Sequence, residues 1–153
     1  MTETKDVKQE VAKPAEKVVS NAVVQQATNK LIALVKIRTS IGVDKDVIDT
    51  MNMLSLYDTN FCTVHKATPS AMGMIKKIKD YITWGEISEE TLKELIKVRG
   101  KINPKDPEKT KKFFRLNSPK KGYGRKGIKV AFKLGGALGD RGDAINDLIK
   151  RML

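Results

Sequence analysis

Residues 31–87 read LIALVKIRTSIGVDKDVIDTMNMLSLYDTNFCTVHKATPSAMGMIKKIKDYITWGEI, and their changing periodicity decides the fold. LIALVKI, residues 31–37, is a short apolar, β-prone run, read as a strand buried on both faces or nearly so. Arg38, Thr39, Ser40, Ile41 and Gly42 form the loop that follows. Asp44 then stands at a helix N-cap, and Val47, Ile48, Met51 and Leu54 recur at the spacing of one helix face. After a connection at residues 57–60, FCTVHKA is β-prone and predicts a second strand over 61–67. Thr68-Pro69 opens a second helix, with Thr at the N-cap and Pro at the first helical position. Its apolar face is Met72, Ile75, Ile78 and Ile82, with Lys76, Lys77 and Lys79 outward. Residues 81–87 supply a third strand. Strand, helix, strand, helix, strand closes as an α+β two-layer sandwich with both helices on one sheet face.

On either side of this core the composition changes. Residues 1–29 are a low-diversity mixture of Lys, Glu, Val, Ala and Gln, expected to form a flexible or partly helical N-terminal extension. After the core at 30–87, residues 88–153 form a C-terminal extension. Ser88 caps a helix expected over 88–100, in which Leu92, Leu95, Ile96 and Arg99 follow and Gly100 ends it. FFRL, residues 113–116, is the strand-like piece of the polar stretch that follows. A short terminal helix over 143–152 carries Ile145, Leu148, Ile149 and Met152 on one face, with Lys150 and Arg151 in its last turns.

Charge is concentrated in this extension. The chain has a formal net charge of +12. Residues 101–153 hold fifteen basic and five acidic residues, whereas residues 1–29 hold four of each. The densest part is SPKKGYGRKGIKVAFKLGGALGDRG, residues 118–142. There Lys120, Lys121, Arg125, Lys126, Lys129 and Lys133 stand among glycines, with no acid before Asp140. Like charges in one segment repel each other, and glycine lowers local order. A polyanion would neutralise the charge, and nucleic acid is the expected partner. Residues 105–133 are therefore expected to be an extended strap that orders on RNA. Tyr123 and Phe132, set among the cations, are open to stacking on bases or to packing. Phe132 is read as packing.

Other function classes find little support. No apolar run reaches the roughly 20 residues a membrane span needs, and MTETKDVKQEV has no signal-peptide apolar core, so no membrane role is expected. The lone Cys62 cannot form an internal disulfide, and the chain reads as cytoplasmic. Cys62 and the lone His65 supply too few ligands for zinc, and no metal or cofactor is expected. KLGGALGDRG matches neither phosphate-binding glycine signature, leaving a structural turn or a backbone cradle for RNA phosphate. Asp44, Asp46 and Asp49 complement the positive end of a helix dipole. No catalytic constellation or small-molecule site is present, so no enzyme activity is expected.

The stretch around residues 31–87 resembles the L-thirty family of large-subunit ribosomal proteins. The resemblance is carried by the strand ending in Arg38-Thr-Ser-Ile-Gly, by Met53-Leu54 leading to Leu56, and by Thr68-Pro69 before GMIKKIKDYI. RLNSPKKGYGRKGIKVAFKLGGALGDRGDAINDLIKRML resembles the C-terminal extension of the archaeal and eukaryotic branch, and the neutral N-terminal extension fits an archaeal protein. The resemblance implies a ferredoxin-like core with a three-stranded antiparallel sheet. It also implies a structural, non-enzymatic role in the large ribosomal subunit, bound to 23S-type rRNA near the 5S rRNA and beside neighbouring ribosomal proteins. A free-standing RNA chaperone or regulator is the alternative. By position, the resemblance implies RNA contacts at Arg38, Thr39, Ser40, Gly42, Lys66, Thr68, Arg115, Lys129, Gly135, Gly136 and Arg141. The distribution of positive charge adds Lys76, Lys77 and the strap residues Lys120, Lys121, Tyr123, Arg125, Lys126 and Lys133.

Overall fold

A computed structural model describes residues 30–101 and 111–153. The extension at 1–29 and the first part of the strap lie outside the described residues. The elements run β1 (Leu31–Lys36), α1 (Lys45–Met53), β2 (Phe61–Lys66), α2 (Pro69–Lys77), β3 (Ile82–Glu86) and α3 (Glu89–Arg99). Then come β4 (Phe113–Arg115), a 3₁₀ turn (Phe132–Leu134), β5 (Gly139–Asp140) and α4 (Ala144–Met152). β1 lies at the centre, paired antiparallel with β2 on one side and with β3 on the other. This is the three-stranded antiparallel sheet of the expected core.

The extension adds to it on three sides. β4 pairs antiparallel with β2, and β5 pairs parallel with β3, giving the order β4-β2-β1-β3-β5. Adding strands at both edges satisfies backbone groups that a three-stranded sheet would leave open. The third addition is a second helical layer. Ile32 and Leu34 of β1 pack with Met51, Ile75 and Ile78 from the α1 and α2 side. Ala33 and Val35 point the other way, onto Leu95 of α3 and Ile145, Leu148 and Ile149 of α4. Successive strand residues alternate faces, so an uninterrupted apolar β1 requires apolar cover on both.

Caps fix where the helices begin. Thr68 Oγ1 accepts from Ala71 N at 3.2 Å and Ser88 Oγ from Thr91 N at 3.3 Å, satisfying first-turn amides. Asp44 occupies the α1 cap position, but its side chain makes no cap bond. One expected face shifts. Ile82 belongs to β3 rather than to the second helix. In α3 the buried pair is Thr91 and Leu95, while Ile96 is exposed, because only one narrow stripe of this helix meets the core. α4 is the better fit: Ile145, Leu148, Ile149 and Met152 are all fully buried. Each such burial is worth about 1.5–3 kcal/mol before the cost of chain ordering.

α4 can reach the sheet because β3 carries Gly85 there. A Cβ at Gly85 would stand 2.1 Å from the Gly142 carbonyl oxygen and 2.9 Å from Ile145 Cβ. Neither can retreat without lifting α4 from the sheet. Gly85→Ala should therefore destabilise the protein by about 3 kcal/mol or more, at or beyond the upper end of overpacking costs. Gly73, exposed on α2, has open space around the position a Cβ would take, with nothing within 4 Å. Gly73→Ala should be neutral or stabilise by about 0.5–1 kcal/mol through helix propensity. Urea unfolding of the two variants checks both, and equal effects would contradict the packing account. Cys62 is buried, and desolvation pushes its thiol up to about 12. It should resist thiol reagents at pH 8 in native protein and react once the chain unfolds.

Candidate nucleic-acid interface

Most of the residues read as RNA-facing converge at one end of the sheet, where β1 finishes. Lys36 there lies beside Ile82, the first residue of β3, and Phe61 at the start of β2 pairs with Arg115. The Arg38–Gly42 loop leaves from this end. α2 delivers Lys76 and Lys77 to it, and the strap crosses it.

The loop is held by Lys36, which sequence reasoning passed over. This side chain is 1% exposed. Its Nζ donates to Ser40 Oγ at 2.7 Å, to Leu56 O at 3.2 Å and to Tyr57 O at 2.7 Å. Three acceptors match the three donors of an ammonium. Burial lowers the pKa of Lys36, and the Asp58 carboxylate opposes that shift. A single Lys inside an apolar strand was the available signal. Ser40 is thereby committed to the protein. Arg38 Nη1 donates to Asp80 O at 3.1 Å, and its guanidinium lies 4.9 Å from the Tyr81 ring centroid. Thr39 and Gly42 are exposed.

The strap is expected to be loose, but residues 117–124 are tied to the domain. Asn117 N donates to Met152 O at 3.0 Å and Lys120 N to Arg151 O at 3.1 Å. Arg151 Nη1 donates in turn to Lys120 O and Gly122 O. Tyr123 is half-buried against the core, and its hydroxyl donates to Asn60 Oδ1. Burial raises the Tyr123 pKa, against the pull of Arg141. A ring packed in this way is not free to stack on a base.

Arg141 is also reassigned. It is 7% exposed. Nε donates to Thr83 Oγ1 at 3.0 Å, and Nη2 to Ala137 O at 3.0 Å and Tyr123 O at 3.2 Å. Its guanidinium covers the Phe132 ring at 4.5 Å, so Phe132 packs as read. Burial lowers the Arg141 pKa, with Arg151 adding to the shift. Arg141 therefore fastens the strap to β3, with its donors directed into the protein. Gly136 is likewise buried for an internal reason. A Cβ there would stand 2.1 Å from Val130 O, so the glycine admits the strap's own backbone rather than a phosphate. Gly135 is exposed.

Lys120, Lys121, Arg125, Lys126, Lys129 and Lys133 are all exposed. The ion pairs among the described residues are Lys30–Glu86, Lys77–Asp46 and Arg151–Asp147, so none of these six has an acidic partner there. Lys77, 3.7 Å from Asp46, is partly compensated, whereas Lys76 is exposed and outside these pairs. Arg115 is exposed, with its guanidinium 5.2 Å from the Phe61 ring centroid. Lys66 and Thr68 do not join this surface. Lys66 pairs with Leu31, at the opposite end of β1, and the Thr68 hydroxyl caps α2. His65 Nε2 lies 3.3 Å from Leu54 O, a structural contact. Among the described residues no acidic, Cys or His cluster could hold a metal ion, and no helix is long and apolar enough to cross a membrane.

Known proteins place this architecture. A sequence profile of the family described as Ribosomal protein L30p/L7e matches residues 32–82. The large ribosomal subunit protein uL30 of Nanoarchaeum equitans is 42% identical, across 80% of this chain and 99% of that protein. Its counterpart in Methanopyrus kandleri is 40% identical, across 76% of this chain and 99% of that protein. The chain belongs to the ribosomal protein L30p/L7e family. It is an archaeal-type member of a structural rather than enzymatic family, and the similarity extends well beyond the profile into the C-terminal extension.

Since Arg141 fastens the strap, Arg141→Ala should cost about 1–3 kcal/mol by leaving the Ala137 and Tyr123 carbonyls unpaired. Arg141→Lys should recover only part of that, because a compact ammonium cannot span all three acceptors. Thermal unfolding checks the order wild type, Lys, Ala. An Ala variant as stable as wild type would contradict the fastening role.

Proposed function

We propose that this chain is a structural constituent of the large ribosomal subunit, in the cytoplasm, that binds 23S-type rRNA near the 5S rRNA and alongside neighbouring ribosomal proteins. The observation that carries the RNA-binding part is the row of six exposed strap cations without acidic partners among the described residues, set beside the Arg38 loop. An isolated protein gains nothing from uncompensated like charge, whereas phosphate binding is driven by it. Family membership and the relatives named as large-subunit proteins support the ribosomal setting. Proximity to 5S rRNA rests on the family resemblance alone.

The two parts of the surface bind in different ways. Strap cations meet phosphate oxygens and carry no sequence information by themselves. Arg38, anchored on Asp80 and Tyr81 at a strand end, presents a fixed guanidinium and can make a geometrically specific contact. Lys76 and Arg115 extend the cationic end of the sheet.

Neutralising Lys120, Lys121, Arg125 and Lys126 together should weaken binding to many RNAs alike. It should also flatten the slope of log affinity against log salt by up to about 3–4 units, close to one for each phosphate no longer neutralised. Arg38→Ala should cost about 1–3 kcal/mol on cognate rRNA and reduce the preference over unrelated RNA. Filter binding across a salt series measures both quantities, and unchanged slopes for the quadruple variant would contradict the phosphate role. Sedimentation of cell extract at moderate salt tests the ribosomal setting. The chain should travel with the large subunit, and its presence only in the free pool would favour a free-standing RNA chaperone or regulator.

A further inference from the structure

The Arg38 loop and the strap do not merely neighbour each other. They form the two walls of a half-open cleft of about 230 Å³. Ile37 and Tyr81 line it on the sheet side, Ile41 and Val43 on the loop side, and Ile128 on the strap side. Ile41, in the loop, is 89% exposed, and Ile128, in the basic strap, is 42% exposed. The Arg38 guanidinium also lines the cleft. It is held on one face by the Tyr81 ring and by one donor to Asp80 O.

Phosphate binding explains the Arg38 cation and the polar part of this lining but not the exposed Ile41 and Ile128 side chains beside it. Isoleucine gains nothing from an anion and loses by staying in water. A ligand that covers the walls must offer an apolar face and be attached to negative charge. An unstacked nucleobase does both: its faces are apolar, its edges accept and donate hydrogen bonds, and its backbone carries phosphate on either side. Single-stranded or bulged RNA is read in this way, by splaying a base onto aromatic or guanidinium planes and apolar side chains. The cleft has room for one ring system, and the exposed Lys126 and Lys129 stand two residues before and one after Ile128 in the chain.

We propose that the cleft between the Arg38 loop and Ile128 takes up a single unstacked nucleobase of the bound RNA. This rests on the RNA-binding reading above and gives the surface a place where RNA is recognised by more than charge. Strap phosphate contacts fix the register, and the base enters only where the RNA leaves one unpaired.

The test uses the full chain carrying Ile41→Ala and Ile128→Ala. Both side chains are exposed, so the fold should survive, as a thermal melt verifies. Binding is measured by filter retention across a potassium chloride series. One probe is a transcript of the organism's own large-subunit rRNA, and the other is a fully paired RNA duplex with no unpaired base. Preference for rRNA over duplex should fall about ten-fold, with the rRNA salt slope unchanged because no cation is removed. An unchanged preference in the double variant, while wild type still binds rRNA tightly, would overturn the cleft proposal and leave the RNA-binding reading standing. An equal loss on both probes would also overturn it, since the walls would then serve any RNA. Normal binding to naked rRNA with failed retention in assembled subunits would place a protein in the cleft and overturn it too. Failure of wild type to prefer rRNA at all would sink both readings.

Discussion

The burial of β1 on both faces is the constraint from which the rest of the architecture follows. The family core supplies one helical layer, α1 and α2, over Ile32 and Leu34. Ala33 and Val35 would face water if the chain ended after β3. The C-terminal extension closes that face with α3 and α4, and Gly85 is the residue that lets α4 come close enough. The extension is thus part of the hydrophobic core and not an appendage to it. The part of the strap that follows β4 runs on to β5, so the chain on either side of it is anchored in the same sheet.

Folding also decides which cations can serve RNA. Lys36 and Arg141 are buried, and their donors are spent on protein acceptors: Lys36 on Ser40, Leu56 and Tyr57, Arg141 on Thr83, Tyr123 and Ala137. A buried charge must be matched in this way or its desolvation would oppose folding. The strap cations are in the opposite condition, exposed and without acidic partners among the described residues. One group of cations shapes the surface and the other is available to bind. Net charge alone does not distinguish them.

The core was legible in the sequence because its signals are local. A β-prone run, the Thr68-Pro69 helix start and the Ser88 cap each specify their own neighbourhood, and all three elements formed where these residues stand. The amphipathic α4 was legible from four apolar residues on one face. What those apolar residues pack against was not legible, because it depends on contacts between residues far apart in the chain. Ala33 meeting Ile145, or Thr83 meeting Arg141, leaves no periodic trace in either segment. β5 was missed for a related reason. Two residues, Gly139 and Asp140, form a strand only because β3 presents an open edge to them. At the candidate site, charge density picked out strap cations that the fold leaves exposed. The same criterion drew in Tyr123 by proximity, and the family resemblance drew in Arg141, since a sequence does not say which polar groups its own fold will consume.

The division between anchored and available groups bears on how a highly charged strap can be compatible with a stable domain. If its cations had to be ordered on RNA from a fully free chain, each contact would carry the entropy of fixing backbone, of order 1–2 kcal/mol per residue. Residues 117–124 are instead held in place by Met152, Arg151, Asn60 and Arg141, and residues 130–138 by backbone bonds around Gly136. The intervening turn, with Arg125, Lys126 and Lys129, is presented from two fixed points, so the ordering cost on binding is reduced. Fixing the strap also brings Ile128 opposite the Arg38 loop, which a free tail would do only transiently. The repulsion among these cations is the cost of that arrangement. It is offset in the free protein by the buried α4 face, and on RNA by the phosphates themselves.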